Sequence, residues 1–131
     1  MMEINRADVV AEVTKSFLEY EQAINTNSIK VLDDTFLDSA HTVRFGMAEE
    51  LWSYDEIKAF RRTKNSAGIP RKLEKYEITT YGDRIAVANA IFSREGIDKI
   101  GRQSQTWIKF DSVWRVVSAH VSLVEKRSAR F

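Results

Sequence analysis

Three places in this sequence put polar side chains where a core would be apolar. The first is a strand-like run near the C-terminus, Trp114 to Val124. Simple alternation groups Trp114, Val116, Ser118, His120 and Ser122 on one face, and Arg115, Val117, Ala119, Val121 and Leu123 on the other. Three polar groups in a row on a buried face would each need a partner. That face either lines a pocket or meets solvent or a second subunit, and the pocket is the reading taken forward. His120 within it is either a hydrogen-bonded structural residue or an acid–base group, since histidine changes charge close to neutral pH.

The preceding run, Arg102-Gln103-Ser104-Gln105-Thr106-Trp107, is polar on both faces. A three-residue hairpin loop sets Ser104 across from His120 and Thr106 across from Ser118. A two-residue loop puts Gln103 and Gln105 there instead, because a one-residue slip exchanges the faces. Either register brings uncharged hydrogen-bonding groups beside His120.

The second place is His41-Thr42-Val43-Arg44-Phe45-Gly46, where Arg44 interrupts a short apolar strand. On an exposed edge it needs nothing. Facing inward, it needs an acidic partner or an anionic ligand, and its guanidinium fork suits a carboxylate. Glu49 or Glu50 can supply the acidic partner. The third place is Tyr20, one turn after Phe17 on the apolar stripe of a helix. It is either a core aromatic or a hydroxyl that donates a proton or hydrogen bond at a cavity mouth. Glu19 and Glu21 are expected to be solvated. Arg61 and Arg62 are expected to serve helix-end electrostatics.

The elements that must position these groups follow from periodicity. Val9, Val10, Val13, Phe17, Tyr20 and Ile24 recur at steps of three and four, which predicts a helix over 6–26 with Asn5 as its cap. Ser28 caps a shorter helix through Leu37. His41–Phe45 and Ala48–Trp52 predict two short strands. Ser53 and Glu56 form a capping box for a third helix to about Thr63. Four strands follow, over 73–81, 85–94, 102–110 and 114–124. Helices followed by an antiparallel meander mean an α+β fold. Here it is a cone-shaped barrel, with three N-terminal helices packed on a curved, mainly antiparallel sheet. Val117, Ala119, Val121 and Leu123, with Ala86, Ala88 and Ala90, are expected to form an outer apolar face. A helix or a second copy would cover that face, so a homodimer is expected.

Composition narrows the classes. The chain has 131 residues, a single-domain length, with residues 125–131 expected as a flexible tail. Twenty basic and nineteen acidic residues leave a net charge of +1, so no nucleic-acid partner is expected. There is no cysteine and only two histidines, which excludes disulfides and thiolate zinc sites, and no metal or other cofactor is expected. No apolar run reaches signal-peptide or membrane-span length, so no membrane partner and a cytoplasmic location are expected.

The order of elements resembles the nuclear transport factor 2 and ketosteroid isomerase superfamily. A narrower resemblance rests on Tyr20-Glu21-Gln22-Ala23, on 41–49, on Ile78-Thr79-Thr80-Tyr81-Gly82, on 101–107 and on 114–122. These segments resemble the AtzH-like family of bacterial cyanuric acid catabolism. The resemblance implies an amidohydrolase-like activity on a small anionic nitrogenous substrate. In it, 1,3-dicarboxyurea loses one carboxyl group and becomes allophanate. It places the catalytic tyrosine on Tyr20 and the catalytic arginine on Arg44. Strand geometry adds His120, Ser104, Gln105 and Ser118 as substrate-binding candidates. The alternatives are an accessory subunit working with an amidase, a ketosteroid isomerase-type isomerase or dehydratase, and a structural dimerisation domain.

Overall fold

The computed structural model describes residues 2–64 and 66–126. Most of the expected tail, 127–131, lies outside the described residues. Helix α1 spans Ala7–Thr26 and α2 spans Ile29–Thr35. Strands β1 (Val43–Phe45) and β2 (Glu50–Leu51) are shorter than expected. Helix α3 covers Tyr54–Arg61. Four long strands follow: β3 (Arg71–Tyr81), β4 (Ile85–Arg94), β5 (Lys99–Phe110) and β6 (Val113–Glu125). They form a six-stranded sheet ordered β2-β1-β6-β5-β4-β3, antiparallel except where β1 runs parallel to β6. Three helices on this mixed sheet make the α+β cone.

Local chemistry explains the helix ends. Asn27 takes a left-handed conformation (φ 51°), and its backbone N–H donates to the Ala23 and Ile24 carbonyls to close the last turn of α1. Ser53 caps α3 by accepting from the Glu56 N–H at 3.2 Å, while the Glu56 carboxylate takes the Trp52 N–H at 3.0 Å. Asn5 departs from expectation. Arg6 occupies the cap position, and the Asn5 side chain accepts from the Thr80 N–H at 2.9 Å, tying the chain start to β3.

Val9, Val13, Phe17 and Tyr20 of α1 are buried in one core with Phe36, Ile57, Trp107 and Val116. The sheet side of that core carries small residues. Ala86, Ala88, Ala90 and Ala119 are all buried. These residues, with Val121, are therefore on the inner face and not the outer face expected from sequence. Nothing in their placement argues for a second subunit.

The reason is a bulge in β6. The hairpin turn is two residues, Asp111-Ser112, with Asp111 left-handed at φ 56°. Pairing runs Phe110 to Val113 through Trp107 to Val116, then skips Val117 and resumes as Thr106 to Ser118 and Ser104 to His120. The extra residue exchanges the two faces of the strand. Trp114, Val116, Ala119 and Val121 are buried, whereas Ser118 and His120 are exposed. The sequence pattern had put Ser118, His120 and Ser122 on the same face as Trp114, and the bulge corrects that assignment.

Candidate functional site

The cone holds a partly open cavity of about 360 Å³, at the small end of the range of ligand pockets. Its floor follows from the pairing. One row across the sheet runs Arg44, Ala119, Gln105, Ala88, Ile78, from β1 to β3. Cross-strand partners share a face, so Arg44 and Gln105 point inward together. The two alanines beside Gln105 leave room above the sheet.

Tyr20 reaches the same cavity from α1. It is 4% exposed, and its ring meets Phe36 edge-on at 5.8 Å. It is a core aromatic that also borders the cavity.

Arg44 faces inward beside Glu49, with Nη1 donating to Oε1 at 2.9 Å. The other Glu49 oxygen accepts the Ala48 N–H at 3.2 Å. A Cβ at Gly46 would overlap the Glu49 carboxylate as it stands and displace it. Glycine lets that carboxylate fold back over the chain to Arg44. The arginine is thus aimed and partly neutralised by one partner.

The far wall carries a second charged cluster. Arg71 of β3 binds Glu21 of α1 through Nε to Oε2 at 2.9 Å and Nη2 to Oε1 at 2.6 Å. Gln103 joins both, accepting from Arg71 at 2.9 Å and donating to Glu21 at 3.2 Å. The Arg71 guanidinium lies over the Phe92 ring at 4.2 Å. Gly101 makes space for that ring, since a Cβ at Gly101 would overlap it. Glu21 is therefore buried and paired, not solvated. Its spacing did carry the signal: Phe17, Glu21 and Ile24 step by four and three along the buried side of α1. Arg61 and Arg62 likewise bind Asp33, at 3.1 and 2.8 Å, and do more than suit a helix end.

These pairings leave a surplus of positive charge at the cavity. Arg44, Arg61, Lys64, Arg71 and Arg94 line it, and the first, second and fourth have carboxylate partners. Arg94 and Lys64 have none among the described residues. Arg94 donates only to the Ile69 carbonyl, at 3.0 Å. Burial, and then the neighbouring Arg71 charge, lower its pKa from the usual arginine value.

The other sequence candidates fall elsewhere. Ser104 donates to Asn89 at 2.5 Å on the outer face. His120 touches the cavity margin, but its ring packs edge-on against Phe45 at 5.8 Å, on the face opposite Ala119 and Val121. Ser118 is exposed on that same outer face. Among the described residues no three His, Asp or Glu side chains group as metal ligands. No helix of the described residues is long and apolar enough to cross a membrane.

Comparisons with known proteins agree with this architecture. A crystal structure of a protein of unknown function from Pectobacterium atrosepticum is 49% identical, with a TM-score of 0.90 over 93% of this chain and 95% of that one. A cystatin-like fold protein from Burkholderia xenovorans is 35% identical, with a TM-score of 0.91 over 95% of this chain and 98% of that one. A nuclear transport factor 2-like protein of unknown function from Pseudomonas putida shares the fold, with a TM-score of 0.76 at 15% identity over 89% of this chain and 87% of that one. No curated protein matches the sequence. The AtzH-like family model matches residues 2–127, and the chain belongs to the AtzH-like family.

Proposed function

We propose that this protein removes one carboxyl group from a small N-carboxylated urea, of the type that converts 1,3-dicarboxyurea to allophanate. The observation that carries the reading is that Tyr20 and Arg44, from α1 and β1, open on one small cavity. Both residues fall within segments that resemble the family.

The reaction needs a proton on nitrogen as the N–carboxylate C–N bond breaks. The dianion takes up one proton and yields the allophanate anion and carbon dioxide. Written with water, it yields allophanate and bicarbonate. Arg44 has guanidinium N–H groups beyond the one held by Glu49, and these clamp a carboxylate. The Tyr20 hydroxyl supplies a proton or hydrogen bond at the leaving nitrogen. The surplus charge of Arg94 and Lys64 favours a dianion over a neutral amide. Gln105 faces the guest. Ser104 and Ser118 face away from the cavity and are given no contact with substrate. The fold itself would serve many chemistries, and these side chains select among them.

An isomerase of the ketosteroid type would need a carboxylate base in an apolar pocket. The carboxylate that lines this cavity, Glu49, is committed to Arg44. The deciding experiment is a turnover assay on freshly generated 1,3-dicarboxyurea, with allophanate followed by mass spectrometry. Tyr20→Phe and Arg44→Met should each lower turnover by about two to four powers of ten. Full activity in both variants would remove the mechanism.

A further inference from the structure

Gln105 lies on the inner face of β5 and is 1% exposed. Its amide oxygen accepts the indole N–H of Trp107 at 3.0 Å. An indole nitrogen can only donate, so this contact fixes which end of the amide is which. The oxygen points to Trp107 and the NH₂ group points away from it. Trp107 is fully buried at 0% exposure, so the lock itself is held in the core.

The freed end has nothing to bond. Gln105 Nε2 is buried and has no hydrogen-bond partner among the described residues. A buried donor left unsatisfied costs about 1–3 kcal/mol. Its neighbours across the sheet, Ala88 and Ala119, are too short to reach it and carry no acceptor side chain. The same side chain lines the cavity that Tyr20 and Arg44 open on. An orphaned donor, locked in polarity on a side chain that lines a cavity, is a site waiting for an acceptor.

We infer that Gln105 is a specificity-determining group that donates to a carbonyl or carboxylate oxygen at the middle of the bound ligand, with Trp107 setting its polarity. A ligand with N–H or CH₂ at that point leaves the donor unpaired and is rejected. The inference rests on the cavity being the substrate site proposed above. It deepens that reading by assigning the central oxygen of the guest to one atom of the protein. Trp107 acts as a positioning residue, because it reaches the ligand only through the amide.

The test compares two dianions of equal length by calorimetric titration, with the β-keto diacid prepared fresh and kept cold because it loses carbon dioxide slowly in water. 3-Oxoglutarate carries a central carbonyl between two carboxylates, and glutarate has CH₂ there. The wild type should bind 3-oxoglutarate at least about fivefold tighter, the factor that corresponds to the lower end of an unpaired-donor penalty. Gln105→Met removes the donor, and the ratio should fall to about one while glutarate binding persists. Gln105→Glu keeps an acceptor for Trp107 and is the milder change to the core. It presents oxygen to the cavity, so both ligands should weaken and the preference should invert. Circular dichroism checks that each variant is folded. Equal binding of both ligands by the wild type overturns the inference and leaves the anion site standing. A preference that survives Gln105→Met overturns it too, as does undiminished turnover of 1,3-dicarboxyurea in that variant. If the wild type binds neither dianion and does not turn over 1,3-dicarboxyurea, the substrate reading falls, and the inference with it.

Discussion

Arg71 grips both carboxylate oxygens of Glu21, at 2.9 and 2.6 Å, with each side chain less than a tenth exposed. The two residues are 50 positions apart, on α1 and β3, so their pair fastens the long helix to the far edge of the sheet. A buried pair gains little over a well-packed apolar pair, yet breaking it strands a charge. Glu21→Gln or Arg71→Met should each cost about 3–5 kcal/mol of stability. The double variant should cost clearly less than the sum. Urea unfolding of the four proteins checks this. Single variants within about 0.5 kcal/mol of the wild type, the scale of an ordinary surface substitution, would mean that the pair does not hold the wall.

The Arg44 site should respond alike to two different changes. Gly46→Ala puts a methyl group where the Glu49 carboxylate sits, and Glu49→Gln removes its charge. Both take away the charge-assisted bond that aims Arg44. Each should lower kcat/KM on 1,3-dicarboxyurea by roughly tenfold, the scale of one such bond. Steady-state kinetics on the two variants would show whether the effects match. A wild-type rate in Gly46→Ala would mean that Glu49 reaches Arg44 without the glycine.

Arg94 offers a separate handle on substrate charge. Arg94→Gln should raise KM for the dianion by roughly three- to tenfold with kcat nearly unchanged, as expected for binding shared by ground and transition states. The salt dependence of kcat/KM should flatten in the same variant. A drop in kcat with constant KM would instead place Arg94 at the reacting bond.

Glu12 makes stability depend on pH at a place outside the cavity lining. Its carboxylate accepts the Trp114 indole N–H at 3.0 Å and the Lys109 ammonium at 2.9 Å, which hold its pKa below the ordinary glutamate value. A lowered folded-state pKa stabilises above the unfolded value and is lost as pH falls through the folded one. Glu12→Gln should therefore be less stable than the wild type at neutral pH, and the gap should close in acid. The side chain is 44% exposed, so the gap should stay under about 1 kcal/mol. Urea midpoints measured from pH 7 downward test the sign. A gap that widens in acid would contradict it.

Much of the scaffold was legible in the residues. Strand β4 has the bounds expected from its alternation, Ile85–Arg94, and the Ser53–Glu56 capping box starts α3 where expected. Local periodicity suffices there, because the signal and the structure share the same few residues. For Arg44 the sequence offered an exposed edge or an inward charge partnered by Glu49 or Glu50, and the structure takes the inward form with Glu49. Glu21 differs from the solvated side chain expected of it, although its spacing puts it on the buried side of α1. Residue type outweighed position, and its partner lay too far along the chain to be seen.

The sequence by itself determined the α+β order of elements and the tyrosine on the helix stripe, since each follows from a repeat of 3.6 or 2 residues, and it left the face of Arg44 open. It also offered two registers for the last hairpin, and the protein uses parts of both. The turn is the two-residue form, while the bulge at Val117 restores the Ser104–His120 pairing of the three-residue form. That one skipped residue decided that Ala119 and Val121, and not Ser118 and His120, share the inner face with Gln105. Only the tertiary structure could decide it. Alternation fixes which residues share a face, but a bulge is set by how the twisted sheet closes around α1, through contacts among residues distant in the chain.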